Sequence, residues 1–126
     1  MTWEEARRHV LDTCKAYLQV DELVVDEDGD IPVRAGDLLY YVTVIAGDIP
    51  LVRVYSRVAQ RVQAGPALYE RLNALNRDAI GARVFWDKGD VVAATELVAG
   101  SLDVEELGQA CRAVGILAEQ APGRAP

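Results

Sequence analysis

Three segments of the chain repeat apolar residues every three or four positions, which is typical of amphipathic helices. The first covers about 2–18 and opens with Thr2 and Glu5, the spacing of a capping box. A second capping box, Asp103 and Glu106, opens the last segment. The predicted buried stripes are Trp3, Ala6, Val10, Cys14 and Tyr17 in the first helix and Val104, Leu107, Cys111, Val114 and Leu117 in the last.

The middle helix is predicted to begin at Pro66, which suits a first helical turn, and to end near Gly81. Its apolar stripe is Leu68, Leu72, Leu75 and Ala79. Two poor helix formers, Asn73 and Asn76, lie beside that stripe. We expect their amides to bond backbone edges of the adjoining sheet or of another subunit.

Between the helices, runs rich in β-branched and aromatic residues predict strands. They cover 31–34, 38–45, 51–58, 83–87 and 91–98. A further short extended run, 23–25, is halted by the acidic turn 26–30, so that 31–34 is expected to return beside it. Pro32 has no N–H to donate to a ladder and therefore confines its strand to an edge of the sheet.

The element order is helix, three or four strands, helix, two strands, helix. Hairpin-length turns make the strands antiparallel, so the sequence predicts an α+β domain with an antiparallel sheet in the order α-β-β-β(β)-α-β-β-α. Gly108 and Gly115, with Cys111, give the last helix a smooth face that the sheet can approach closely. We expect one domain over residues 1–120, followed by a flexible tail at 121–126.

The chain has 126 residues, 51% of them hydrophobic, with 13 Lys and Arg against 20 Asp and Glu, which gives a net charge of −7. Phosphate backbones and anionic lipid surfaces would be repelled by this charge, so neither nucleic acid nor membrane is an expected partner. Neither a signal peptide nor an apolar run long enough to span a membrane is found in the sequence. We expect a cytoplasmic protein.

The residues that usually carry chemistry are few and scattered. His9 is the only histidine, and its neighbours suggest no nucleophile for it to activate. Cys14 and Cys111 lie far apart on apolar helix positions, which is typical of buried free thiols. No zinc spacing and no phosphate-binding loop occurs in the sequence. We therefore expect no catalytic residues, no metal, no cofactor and no small-molecule substrate.

One acidic stretch imitates a calcium loop. Asp26, Asp28, Asp30 and Asp37 fall at the first, third, fifth and twelfth positions of an EF-hand count. However, Ile31 occupies the position that requires glycine, and the flanking segments are predicted strands rather than helices. The stretch is interpreted as a solvated hairpin turn.

Surface aromatic and arginine residues are the more informative candidates. Alternation in 51–58 places Arg53, Tyr55 and Arg57 on the face opposite the valines. Tyr and Arg bury area at modest entropic cost and keep a hydrogen-bonding end, so this face suits recognition of a protein or peptide. A water-facing ladder paired with nearby acids explains the same residues. The predicted partner-binding residues are Tyr41, Arg53, Tyr55, Arg57 and Trp86.

Trp86 follows Phe85, so one of these two aromatic side chains must leave the face that the other occupies. An open-faced sheet would expose one of them, whereas a second layer or a partner would cover it.

Several short motifs together resemble the YbjN-like family, within the superfamily that also holds the type III secretion chaperones. They are Val25-Asp26-Glu27-Asp28-Gly29-Asp30, Pro32-Val33, Tyr41-Val42, Val54-Tyr55-Ser56, Leu72-Asn73-Ala74-Leu75-Asn76 and Arg83-Val84-Phe85-Trp86. The resemblance covers about 2–118. It implies a type III secretion chaperone-like fold, commonly a homodimer, with a role in binding peptides or client proteins and without catalytic residues.

Three functional hypotheses remain open from the sequence. The first is a non-enzymatic module that holds a partner polypeptide as a homodimer, resembling the secretion chaperones. The second is a sensory or transcription-linked regulatory protein that acts by protein contact. The third is an enzyme with a hidden carboxylate site, which would need two acids with separated pKa values in a cleft.

Overall fold

The computed structural model describes residues 1–123. It contains three helices and five strands. The helices are α1 (Trp3–Leu18), α2 (Pro66–Asp78) and α3 (Val104–Gln120). The strands are β1 (Ile31–Ala35), β2 (Leu38–Ile45), β3 (Leu51–Ala59), β4 (Arg83–Asp87) and β5 (Asp90–Val98).

The five strands form one antiparallel sheet in the order β1-β2-β3-β5-β4. α1 and α3 pack against each other and against one face of this sheet, while α2 lies beside β4. The predicted α+β class, the element order and the antiparallel pairing are therefore confirmed. Pro32 is on an edge strand, as its missing N–H predicts.

The core lies between the sheet and the helices, and its residues have the periodicity expected of each element. Val52 and Val54 of the central strand β3 are fully buried, as are Val91 and Ala93 of β5. The predicted apolar stripes of α1 and α3 pack against these strand residues. The buried members of the stripes are Ala6, Val10, Cys14, Leu107, Cys111, Val114 and Leu117. Both capping boxes form, so at the start of α1 and of α3 the N–H groups of the N-cap residue and of the third helical residue have partners.

Cys14 and Cys111 are buried free thiols on α1 and α3, as predicted. Burial raises the pKa of the Cys14 thiol to about 12 and that of Cys111 to about 11. Both therefore stay protonated at neutral pH and behave as small apolar side chains.

The predicted extended run at 23–25 is not a strand in the structure, and β1 pairs with β2 alone. In the turn that follows, the Asp26 N–H donates to the Asp30 carbonyl at 2.9 Å. The Asp26 carboxylate accepts the N–H groups of Asp28 and Asp30, at 3.0 and 2.9 Å, which closes a compact turn. The turn is thus confirmed, whereas the predicted strand at 23–25 is wrong. The Asp26 carboxylate takes the N–H of Asp30, and Pro32 has no N–H, so two of the donors that would pair with 23–25 are missing.

The side chain of Asn76 on α2 is hydrogen-bonded to the edge strand β4. Its amide nitrogen donates to the Val84 carbonyl and its amide oxygen accepts the Val84 N–H, each at 2.8 Å. Both bonds are those expected of an amide beside a sheet edge. The helix ends at Asp78 rather than near Gly81, since Ala79 already has extended backbone angles.

Close approach of α3 to the sheet depends on Gly115. A Cβ atom at this position would lie 2.6 Å from the hydroxyl oxygen of Tyr40, a buried residue of β2. Gly108 meets α1 instead, where a Cβ would lie 3.4 Å from a ring carbon of Tyr17. The smooth face of α3 therefore accommodates both the sheet and the neighbouring helix.

The first residues of the predicted tail pack against the fold. Ala121 is buried, and a Cβ at Gly123 would lie 3.1 Å from the side chain of Val62 and 3.3 Å from that of Ala59. Ala121 is therefore part of the packed fold, whereas Gly123 is exposed beside Val62. The remainder of the predicted tail, 124–126, lies outside the described residues.

Replacing Asn76 with alanine is expected to lower the free energy of unfolding by about 1–2 kcal/mol, because two backbone groups of β4 lose their partners. Asn73→Ala is the matched control on the exposed side of the same helix. It should leave stability unchanged or raise it by a few tenths of a kcal/mol, since alanine is the better helix former. Urea unfolding of both variants measures the difference, and equal effects would contradict the role of Asn76.

Gly115→Ala is expected to destabilise the fold by about 1–3 kcal/mol, because the added methyl group overlaps the Tyr40 hydroxyl. Gly108→Ala should instead be neutral or stabilise by up to about 1 kcal/mol, through its better helix propensity. Tyr40→Phe removes the overlapping oxygen and should restore part of the stability lost in Gly115→Ala. Thermal unfolding of the single and double variants tests this, and additivity of the two changes would contradict the contact.

Candidate functional site on the open face of the sheet

The candidate site is the face of the sheet opposite α1 and α3. Val52, Val54 and Ser56 of β3 are buried toward the helices, so the alternating residues of that strand point the other way. Arg57 is exposed, and Arg53 and Tyr55 are partly exposed. The structure therefore confirms the alternation predicted for β3 and leaves its Tyr/Arg side uncovered by the helices.

Two tyrosines and an arginine form the centre of this face. Tyr41 of β2 and Tyr55 of β3 are directly paired in the sheet, and their rings stack with centroids 5.4 Å apart and an interplanar angle of 26°. The Arg57 guanidinium carbon lies 5.7 Å from the Tyr41 centroid and 5.9 Å from the Tyr55 centroid. Such an arrangement holds a cation over two π faces and orders all three side chains.

Tyr55 also ties the acidic turn to the sheet, because its hydroxyl donates a hydrogen bond to the Asp30 carboxylate. Burial, together with this bond to a carboxylate, raises the pKa of Tyr55 well above its ordinary value. The phenol therefore remains protonated and continues to donate across the physiological pH range. Stacking on Tyr41 and the hydrogen bond to Asp30 together hold the Tyr55 side chain in place.

A second cluster of polar side chains spans β3, β5 and β4. Glu96 of β5 accepts from Arg53 Nε at 3.0 Å and from Arg83 Nη1 at 2.8 and 3.0 Å. Burial alone would raise the pKa of Glu96, but the two arginine partners outweigh it and hold that pKa below its ordinary value. Glu96 therefore stays ionised and fixes both arginines, an arrangement that does not suit a general acid.

A trough runs along β5 between taller side chains of its two neighbours. Val92 forms its floor, since it pairs with Arg57 of β3 and with Phe85 of β4 and lines the cavity. The cavity above it measures about 370 Å³, and its remaining lining includes Asp30, Thr43, Arg53, Asp87 and Asp90. Apolar floor, aromatic walls and polar rims are the features of a binding surface for a side chain or short peptide.

Apolar residues extend the face beyond the Arg53–Glu96 pair. Ile45, Leu51 and Val98 are consecutive partners across β2, β3 and β5. Val98 is 48% exposed, and Ile49 in the preceding turn is 65% exposed. The open face thus has apolar surface on both sides of its charged row.

Four of the five predicted partner-binding residues meet on this face, namely Tyr41, Arg53, Tyr55 and Arg57. The structure does not bring Trp86 to them. Trp86 lies on the helix side, packs against the core, and donates its indole N–H to the Val62 carbonyl at 2.8 Å. Phe85 takes its place, facing the trough with Arg83 5.3 Å above its ring.

Both edges of the sheet offer little for strand addition. On β4, the Val84 N–H and C=O are already bonded to Asn76. On β1, Pro32 has no N–H. A partner is therefore better accommodated on the open face than along these edges.

The remaining chemical candidates have structural partners. His9 Nε2 lies 2.6 Å from the Leu102 carbonyl oxygen, which joins α1 to the segment before α3. Within residues 1–123, no three His, Cys, Asp or Glu side chains gather in a way that could hold a metal ion. Nor does that part of the chain contain a helix long and apolar enough to cross a membrane.

A separate apolar groove of about 290 Å³ lies between α2 and α3. Leu75, Ala79, Ala113 and Ile116 are among its lining residues. Ile80 stands at its rim and is 92% exposed. The groove contains none of the residues predicted from the sequence to bind a partner.

Solved structures show the same fold in other proteins. A chain of the ExsC–ExsE complex aligns with a TM-score of 0.69 at 16% identity, over 99% of this chain and 98% of that one. The structure of the Yersinia pestis type III secretion chaperone SycH with a stable fragment of YscM2 aligns with a TM-score of 0.63 at 15% identity, over 87% and 94%. The HopA1–SchA chaperone–effector complex gives 0.62 at 15% identity, over 90% and 91%.

A search of curated proteins found no match to this sequence. The family model for T3SS (YopN, CesT) and YbjN peptide-binding chaperone 1, abbreviated TY-Chap1, matches residues 4–124. That span is nearly the whole chain and confirms the resemblance seen in its motifs. The chain belongs to the TY-Chap1 family of type III secretion and YbjN peptide-binding chaperones.

Proposed function

We propose that this protein holds an extended segment of a partner polypeptide against the open face of its sheet. The observation that carries the proposal is the trough over β5, walled by Tyr55 and Phe85 and left uncovered by all three helices. Membership of a peptide-binding chaperone family supports it. The protein acts in this proposal by binding, without catalysis.

The physical argument rests on preorganisation. Tyr41, Tyr55 and Arg57 are ordered by their mutual contacts, and Arg53 is ordered by Glu96. A partner that docks on these groups does not have to immobilise them, so less of its binding free energy is lost to side-chain entropy. The same side chains present apolar area with polar ends, which suits a segment of mixed composition.

Proteins with this fold are known in complexes with polypeptides. The SycH structure contains a stable fragment of YscM2, and the HopA1–SchA structure is a chaperone–effector complex. These complexes support a polypeptide partner for this chain as well. They do not specify which face it uses, so the face is argued from the residues of this chain.

We further propose that the protein is a homodimer formed through the groove between α2 and α3. Ile80 projects beside the groove that contains Leu75 and Ile116. A projecting apolar side chain next to an apolar groove is self-complementary under a two-fold axis, because each copy supplies both parts. Dimerisation in this way leaves the open face of each sheet free for the partner segment.

The binding proposal predicts that Tyr55→Ala combined with Phe85→Ala weakens binding of a polypeptide segment by tenfold or more, since the loss of about 1.4 kcal/mol, which one aromatic anchor alone can contribute at such a surface, lowers the affinity tenfold. Fluorescence anisotropy with a library of labelled nine-residue peptides, alternating apolar and polar residues, measures the affinity. Tyr55→Phe retains the ring and should retain most of the binding.

The matched control is Tyr69→Ala, which removes an exposed tyrosine from α2. It should bind the same peptides as the unaltered protein. An equal loss in the control, or unchanged binding by the double variant with its fold intact, would contradict the placement of the site.

The dimer proposal predicts that Ile80→Asp shifts the protein to a monomer, because a carboxylate would have to be desolvated in the groove. Ile49→Asp, a comparable change at an exposed isoleucine in the β2–β3 turn, should leave the dimer intact. Sedimentation equilibrium measures the mass of each. A monomeric unaltered protein, or a dimer that survives Ile80→Asp, would overturn this interface.

A further inference from the structure

The two ends of the trough over β5 differ in charge. At one end, Glu96 is bonded to both Arg53 and Arg83. At the other end, Asp87 and Asp90 are directly paired in the β4–β5 hairpin and both line the cavity. Among the ion pairs of residues 1–123, neither of these two aspartates has a cationic partner. One end therefore has two arginines against one glutamate and carries a net positive charge, whereas the other has two carboxylates without an ion-pair partner in that part of the chain.

The nearest cation on β3 is directed elsewhere. Arg57 pairs with Val92 in the sheet, but its guanidinium lies over the Tyr41 and Tyr55 rings, on the β2 side of the face. Asp30 adds a third carboxylate to the cavity. Since the whole chain carries a net charge of −7, the long-range field also favours a cationic ligand at this surface.

The spacing of these groups defines a short pattern. Val92 and Asp90 are two residues apart on the same face of β5, a separation of about 7 Å in an extended strand. Side chains at i and i+2 of an extended peptide have the same separation and the same orientation. A segment lying along β5 can therefore place an apolar side chain between Arg57 and Phe85 while its second neighbour reaches the aspartates.

From this charge distribution we infer that the partner segment carries a lysine or arginine two residues from an apolar side chain, with the basic group bound by Asp87 and Asp90. The inference rests on the proposed function, because it specifies the chemistry of the segment held on the open face. The apolar residue supplies the buried area, and the basic residue supplies orientation and specificity.

The test uses two nine-residue peptides with blocked ends. Both alternate serine and leucine, and they differ at one position two residues from the central leucine, which is lysine in one and glutamate in the other. We expect the lysine peptide to bind about three- to tenfold more tightly at low salt, the range for partly exposed ion pairs. Asp87→Asn with Asp90→Asn should remove that preference, and added salt should reduce it.

The matched control is Asp12→Asn with Glu105→Gln, which removes the same net charge from exposed positions on α1 and α3. It should retain the preference for lysine. Asp87→Asn alone, at an exposed strand end, should show an intermediate preference and replaces the double variant if the hairpin is disturbed. Circular dichroism verifies that each variant is folded.

The possible results separate the two proposals. If both peptides bind equally and Tyr55→Ala with Phe85→Ala still weakens them, the charge inference is overturned and the binding site stands. A preference that persists in the Asp87 and Asp90 variant, or disappears in the control, also overturns the inference, since net charge would then explain it. If no peptide of either kind binds, the proposed function fails together with the inference.

Discussion

The two faces of the central strand β3 lie in different environments, one in the core and the other on the open face of the sheet. Val52 and Val54 contribute to the core beneath α3, and on the other side Arg53 and Tyr55 face outward. Because the side-chain period of a strand is two, a shift of one residue in register would exchange these faces. The pairing of β3 with β2 and β5 therefore fixes the core and the candidate site together.

Polar contacts on the open face give it a defined shape without a second layer. Glu96 bridges two arginines across three strands, and the hydroxyl of Tyr55 holds the acidic turn at Asp30. The sequence interpretation as a water-facing ladder paired with acids describes Arg53 and Tyr55 correctly, whereas Arg57 lies over two tyrosine rings instead of beside an acid. The groups that satisfy one another on this face are those that give it a fixed shape.

Much of the fold follows from local patterns in the sequence, and the failures have identifiable causes. Capping residues and apolar stripes define the helices, and alternation defines β3. For β4 alternation shows only that Phe85 and Trp86 face opposite ways. Val84 decides which of the two side chains faces the helices. It is buried toward the helices, and Trp86, two residues further along the strand, lies on the same face. That information is tertiary, so Phe85 was missed as a lining residue of the trough. The strand predicted at 23–25 is absent for a different reason, because the Asp26 side chain takes the N–H of Asp30 and Pro32 has none to offer.

The amide of Asn76 has a consequence for the protein at high concentration. A sheet with an unpaired strand edge can pair with the edge of another copy, because that edge accepts further strands and can begin a fibril. With the Val84 N–H and C=O already bonded, growth from this edge would first require the amide to leave. A single side chain thus hinders polymerisation through β4.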